Sequence, residues 1–364
     1  MVVLHYAGIS ENKSSGVSVI VPEIVNAQSR ILTVGLYNYG QSTFALKDEV
    51  VYIDNKDNDD YHSFPAPFNK PELVVFHSPF GLKKSIRIAK MLYEEKIPYI
   101  IVPHGCFSKY ALAKKKFKKW VAMNIVFRSM FNNAAAVQFL SVGEKEASVL
   151  QEKAIVVPNG IHMPHNIIRK KNGSKINITY IGRKDVYHKG LDLLIEACGI
   201  IKDELKELNV EVEIYGPNKE EDTQSVKDLI SKNNVGDVVF DYPAVYDAEK
   251  SEKFIKSDII VLLSRFEGLP GVILEAWSFG CPTLLTPGTN MSDEAVENNC
   301  GWKTQGDVQE IANTILEICM NRKSIEEKAA QTRTYVEREY AWEIIAEKYK
   351  KSYEGVIEKY DSIK

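Results

Sequence analysis

No run in this 364-residue chain approaches the ~20 consecutive apolar residues that a bilayer-spanning helix needs. The opening residues, MVVLHYAGISENKSSG, place no basic segment ahead of their short apolar run, so they do not read as a secretion signal. Cysteine is scarce: Cys106, Cys198, Cys281, Cys300 and Cys319 are odd in number, far apart and without a C-x-x-C pair. That pattern excludes a complete disulfide framework and a zinc ribbon, and it fits a reducing, cytoplasmic setting. Positive charge is not in surplus either, since 46 Lys and Arg stand against 49 Asp and Glu. A dedicated nucleic-acid binder would be basic overall, so no nucleic-acid partner is expected. Short repeats and low-complexity tracts are also missing, which argues against a solenoid or a disordered chain.

What remains is a soluble globular composition, 45% hydrophobic and 26% charged, in a chain too long for one ordinary core. Short β-rich apolar runs alternate with amphipathic ones, the pattern of βα units on a parallel sheet. A first series of strand-like runs covers Val2–Tyr6, Ile31–Gly35, Val50–Ile53, Leu73–Phe76, Tyr99–Pro103 and Val137–Leu140. A second covers Ile176–Ile181, Val210–Tyr215, Val238–Phe240, Ile259–Leu263 and Thr283–Leu285, with a long helix expected over Gly190–Lys206. The polar, basic stretch His165–Ser174 between them has the composition of a linker. The tail from Ser324 to Lys364 reads as one nearly unbroken helix, with Gly355 as its interior breaker. Two doubly wound α/β domains follow, residues 1–160 and 161–342, with the end of the last helix, about 343–364, returning to the first. Ligands of such folds bind where loops leave the carboxyl ends of the strands.

The most informative segment follows Ile259–Leu263: Ser264-Arg265-Phe266-Glu267-Gly268-Leu269-Pro270-Gly271, then a helix carrying Glu275. Gly268 and Gly271 allow close backbone approach to a ligand, and a helix start favours an anion such as a pyrophosphate. A carboxylate accepts two hydroxyl protons at once, so Glu267 suits a sugar ring and Glu275 a ribose diol. After Ile176–Ile181 comes Gly182-Arg183, and then Lys189-Gly190 ahead of the next helix. Arg183 and Lys189 can converge on a diphosphate and neutralise charge as it leaves. Read singly, these are also an ordinary helix-end glutamate, a surface glutamate and two solvated cations.

Taken together, Gly182-Arg183, Lys189-Gly190 and the E-x7-E frame of Glu267 and Glu275 resemble the donor half of retaining GT-B glycosyltransferases, specifically glycosyltransferase family 4 (group 1). Pro158-Asn159-Gly160 falls where that family connects its domains. The resemblance implies two Rossmann-like domains facing an interdomain cleft. It implies a catalytic set of Glu267, His104, Arg183 and Lys189, and a donor-binding set of Gly16, Arg183, Lys189, Glu267, Gly268, Leu269 and Glu275. It also implies that no metal or cofactor is needed, the co-substrate being a nucleotide sugar, UDP-linked in preference to GDP-linked. No D-x-D motif with flanking strand character stands out; Asp57-Asn58-Asp59-Asp60 lies in a polar loop.

In the first half, Gly8 to Gly16 joins a strand to a helix at the place where backbone can approach phosphate, with Gly16 the better match to the family. His104 sits at a strand's carboxyl end and resembles the family's His-Gly element, which makes it a substrate-positioning residue. Residues 96 to 143 contain no Asp or Glu. Lys109, Lys114, Lys115, Lys116, Lys118 and Lys119 there interleave with Phe117 and Trp120, a basic amphipathic surface suited to anionic lipid headgroups. The expectation is a glycosyltransferase of the hexosyltransferase type, acting on a glycan or polyprenyl-linked acceptor in capsule, exopolysaccharide or O-antigen synthesis. Its location would be cytoplasmic or peripheral on the cytoplasmic membrane face. A nucleotide-sugar epimerase and a catalytically silent nucleotide-sugar-binding subunit are the alternatives on the same fold.

Overall fold

The computed structural model describes residues 1–10, 16–40, 46, 49–54, 60–78, 83–104, 127–165, 167, 169, 173–217 and 220–362. The chain divides into two compact units, Met1–Gly160 with Trp342–Lys364, and Ile161–Ala341.

Among the described residues, the first unit has seven parallel strands: β1 (Val2–Ala7), β2 (Thr33–Asn38), β3 (Val51–Ile53), β4 (Leu73–His77), β5 (Tyr99–Val102), β6 (Ala136–Phe139) and β7 (Ala154–Val156). They lie in the order β3-β2-β1-β4-β5-β6-β7. The second unit repeats the plan with β8 (Ile176–Ile181), β9 (Val210–Tyr215), β10 (Val239–Tyr242), β11 (Ile259–Leu262), β12 (Thr283–Leu285) and β13 (Gly301–Lys303), ordered β10-β9-β8-β11-β12-β13. β4, β8 and β11 are buried along their whole length, as parallel strands covered by helices on both faces must be. In each sheet the strand order reverses beside the first strand, between β1 and β4 and between β8 and β11. Loops diverge there and leave a crevice at the carboxyl ends.

Several expected boundaries move for local reasons. β2 begins at Thr33 rather than Ile31, because the amides of Ile31 and Leu32 close the preceding helix by bonding to Gln28 O. β7 and β13, three residues each, were too short for alternation to reveal. The long helix over Gly190–Lys206 is instead Val186–Lys189, Leu191–Ile200 and Lys202–Glu207. Gly190 is left-handed with φ +67°, which ends the first piece, and Ile201 leaves helical geometry with φ -113°.

Within the stretch His165–Ser174, the described residue Arg169 donates to Ser257 O and Gly280 O of the same unit. The tail breaks at Ala341, extended at ψ 141°, into helices Arg322–Tyr340 and Trp342–Ser362; Gly355 lies within the second. Ala341 bridges to Ile161, whose amide donates to Tyr340 O. Tyr335 and Tyr340 both donate to Glu294 Oε1, which holds the end of the first helix in the second unit. The second helix belongs to the first unit, where Trp342 lies so close to Gly160 that a Cβ there would come within 2.5 Å of the indole. No helix among the described residues is long and apolar enough to cross a membrane.

Candidate functional site

In the second unit the two informative motifs meet where the strand order reverses. β8 ends at Ile181, and Gly182 turns the chain under β9's exit, where a Cβ on Gly216 would lie 2.3 Å from Gly182 O. Of the two adjacent cations that follow, Arg183 is exposed, and among the described residues nothing pairs with its guanidinium. Its carbonyl is held at 2.6 Å by the Tyr180 hydroxyl. Lys184 is fully buried and bonds Tyr242 O at 2.7 Å beside Asp241. Arg183 is thus available to a ligand, and Lys184 is structural.

Asp185 caps the short helix Val186–Lys189 by accepting from the His188 amide. Gly190 then passes so close to β11's exit that a Cβ would stand 2.1 Å from Leu263 O. That approach brings Lys189 Nζ to 2.5 Å from Glu267 Oε1, which also accepts from Ser264 Oγ at 2.7 Å. Lys189 and Glu267 are only 14% and 12% exposed, so their charges are little screened. Among the described residues no donor is shown for Glu267 Oε2.

The two loops are tied together by further contacts. His188 Nε2–H donates to Phe266 O at 2.7 Å, and its ring stacks on Phe266 at 4.0 Å. The Arg265 amide donates to His188 O at 2.9 Å. The Arg265 guanidinium forks onto Asp192 at 2.8 and 2.9 Å and covers the Tyr187 ring. This fork is bidentate and partly buried, the geometry in which Arg and carboxylate hold each other best. The Asp192 carboxylate accordingly raises the Arg265 pKa further.

The loop Thr286–Asn290 braces the other side. Thr286 Oγ1 donates to Ser264 O at 2.7 Å, and Asn290 Nδ2 to Glu267 O at 2.6 Å and Gly268 O at 3.3 Å. Helix Gly271–Ser278 starts at Pro270 without a side-chain cap, and Gly271 is exposed with open space around it. Its first amides and dipole therefore form a positive end. Gly268 and Leu269 are half-buried at this bend.

Glu275 stands eight residues after Glu267, across the bend and about one turn into helix Gly271–Ser278. The structure pairs its partly exposed carboxylate with Lys250 and not with the Glu267 cluster.

In the first unit, Gly16 opens helix Gly16–Gln28 in an exposed place where a Cβ would meet nothing within 4 Å. Packing does not require glycine there. His104 follows β5, half-buried and left-handed at φ +49°. Its Nε2 lies 2.9 Å from His77 Nδ1, and His77 Nε2 lies 2.9 Å from His5 Nδ1. Burial lowers the pKa of His5 and His104 to about 4 and that of His77 well below its usual value. The basic segment Lys109–Trp120 and Cys106 lie outside the described residues. Cys198, Cys281, Cys300 and Cys319 are buried free thiols, each with its pKa raised by burial.

Sequence reasoning named Ser264 only within its motif and the loop Thr286–Asn290 only as lying near the donor, without a role for either. Ser264 stands three residues before Glu267, a spacing that a turn makes legible. Asp192, His5 and His77 were missed, because they reach the sites only through strand order and loop packing.

Residues 165–338 match the family model of glycosyl transferases group 1. An uncharacterized 41.2 kDa protein in the cps region of Klebsiella pneumoniae is 27% identical over 239 residues, 60% of this chain and 60% of that protein. The chain thus spans about three fifths of that relative's length. An uncharacterized glycosyltransferase of Haemophilus influenzae is 23% identical over 301 residues, 75% of this chain and 82% of that one. The solved structure of Anabaena Alr3699/HepE in complex with UDP and glucose is similar over 98% of this chain and 100% of that one, with TM-score 0.70 and 15% identity. With two Rossmann-like domains of parallel strands, the chain has the GT-B fold, and its residues 165–338 match the model of glycosyl transferases group 1.

Proposed function

We propose that the chain is a hexosyltransferase that moves a sugar from a nucleotide-sugar donor to a hydroxyl of a glycan or polyprenyl-linked acceptor, with retention of configuration. The observation that carries this reading is the convergence of Lys189, Glu267 and Ser264 beside an uncapped helix start, in the unit that also presents Arg183. Arg183, Lys189 and the amides near Gly268, Leu269 and Gly271 would receive the pyrophosphate. Their positive charge takes the part that a divalent cation plays in other transferases. The Lys189 ammonium donates one of its three N–H bonds to Glu267 Oε1, leaving two to donate to phosphate oxygens. Glu267 Oε2 would accept from the donor sugar, and Glu275 would leave Lys250 for the ribose hydroxyls.

In the reaction the acceptor oxygen bonds to the anomeric carbon from the face that the diphosphate leaves. The anomeric carbon–oxygen bond to phosphate breaks, and the departing phosphate oxygen takes the acceptor's proton. Arg183 and Lys189 stabilise the charge that accumulates there. His104 would orient a substrate hydroxyl, and Gly16 would admit backbone to the donor phosphate. A UDP-linked donor is favoured by the likeness to a protein solved with UDP and glucose. Polysaccharide assembly such as capsule formation is favoured by the relative from a cps region. The basic face over Lys109–Trp120 would hold the enzyme on an anionic membrane surface.

A thermal-shift panel of UDP-, GDP- and TDP-sugars tests the donor, since a ligand that binds only the native state raises its melting temperature. A UDP-sugar should stabilise the wild type and fail to stabilise Arg183→Ala. Product analysis then separates the activities. Sugar joined to an added acceptor supports transfer, epimerised donor without acceptor consumption supports an epimerase, and binding without any product supports a silent subunit. No nucleotide sugar giving a shift would sink the proposal.

A further inference from the structure

Three histidines form a stack on one face of the first sheet. His5 lies within β1, His77 closes β4, and His104 follows β5. His5 is in register with Val75, so His5, Val75 and His77 share a face; His77 is in register with Val102, two residues before His104. The rings stack in series, each neighbouring pair 5.2 Å between centroids, through the two 2.9 Å N···N contacts. At the inner end His5 Nε2 lies 3.0 Å from Gln28 Oε1, and Gln28 Nε2 donates to the Tyr353 hydroxyl at 3.4 Å. Gln28 and Tyr353 come from helices Gly16–Gln28 and Trp342–Ser362. His5, Gln28 and Tyr353 are fully buried and His77 nearly so, so water does not substitute for these bonds.

Each N···N contact needs one donor and one acceptor, and a neutral imidazole has one of each. Gln28 Oε1 can only accept, so His5 Nε2 carries the proton and His5 Nδ1 accepts. His77 Nε2 must then donate and His77 Nδ1 accept, which obliges His104 Nε2 to donate inward. The outermost nitrogen, His104 Nδ1, is left as a lone pair. We propose that Gln28, His5 and His77 are positioning residues that hold His104 in its Nε2–H tautomer, so that Nδ1 receives the hydrogen bond of a substrate hydroxyl and orients it. The functional half of this inference rests on the transferase reading above. The chain does not store a proton: its inner end is an amide, and a charge within it would be buried. His104 is therefore an acceptor that aims a hydroxyl, and the proton still leaves with the phosphate.

Nitrogen-15 NMR of the histidine rings in the full chain at pH 7 tests the arrangement, with assignments from His5→Phe, His77→Phe and His104→Phe. All three should be neutral Nε2–H tautomers. An Nδ1–H or doubly protonated His104 overturns the inference. Gln28→Glu supplies a second reading. Its carboxylate balances one proton taken from solvent, making His5 an imidazolium. His5 Nδ1–H then donates to His77 Nε2, His77 Nδ1–H donates to His104 Nε2, and His104 exposes an Nδ1–H. The tautomers of His77 and His104 should reverse, and turnover should fall roughly tenfold with UDP affinity unchanged. Gln28→Met, which removes the acceptor without adding charge, should give mixed tautomers and guards against misfolding of the glutamate variant. Reversed tautomers with unaltered turnover would overturn the positioning role. Correct tautomers in a wild type that binds UDP but transfers nothing would instead remove the transferase reading and leave the histidine arrangement standing.

Discussion

The charges in the cluster of Lys189 and Glu267 are few, so each can be tested alone. Lys189→Ala removes the ammonium shared between Glu267 and the expected diphosphate. We expect kcat to fall about 100-fold, the usual scale for losing one preorganised charge partner at a reacting group. Steady-state kinetics with a UDP-sugar measures this, and an unchanged kcat would remove Lys189 from the site. The histidine stack makes a separate prediction about acid. His5 and His104 have pKa values near 4 in the folded chain against an ordinary 6.5. Between those values the unfolded chain binds more protons than the folded one, so stability rises with pH and is lost as pH falls from about 6.5 toward 4. His62 shifts the opposite way beside Asp60 and Glu95, but this pair is exposed and worth little. Thermal unfolding at pH 5 should begin at lower temperature than at pH 7, and the gap should narrow in His5→Gln. Identical profiles for wild type and variant would contradict the buried neutral stack.

At the scale of elements, glycines report which turns are packed and which are open. Gly190 is left-handed, and a Cβ there would clash with Leu263 O. Gly190→Ala should therefore destabilise the second unit by about 1–3 kcal/mol or more, measured by urea unfolding. Among the described residues outside its own helix, a Cβ at Gly16 meets nothing within 4 Å in Gly16→Ala. It should leave stability intact, and a loss of donor turnover in that variant would mark Gly16 as a place of phosphate approach. The E-x7-E frame was legible because a strand, a Gly-Pro-Gly bend and an apolar helix follow one another without interruption. Its geometry was not legible, because the bend takes up the residues that a continuous helix would have used, and Glu275 turns to Lys250 on the neighbouring helix.

For the whole molecule, membrane attachment through the basic segment is open to direct measurement. Each Lys near an anionic surface contributes roughly 1 kcal/mol. Changing Lys114, Lys115, Lys116, Lys118 and Lys119 to Ser should release the protein from anionic vesicles in a sedimentation assay, and equal pelleting of both forms would discard the attachment. The sequence alone carried the two parallel α/β domains, because strand burial and helix amphipathicity are written in neighbouring residues. It also carried Glu267, Lys189 and His104 as candidates, because each follows a strand or opens a helix. Which of Arg183 and Lys184 faces solvent, that Lys189 meets Glu267, and that His5, His77 and His104 share one stack were decided only by the fold. His5 and His77 are 72 residues apart, and His77 and His104 are 27 apart. Periodicity says which face of a strand is buried, but only the order of strands in the sheet says which buried groups become neighbours.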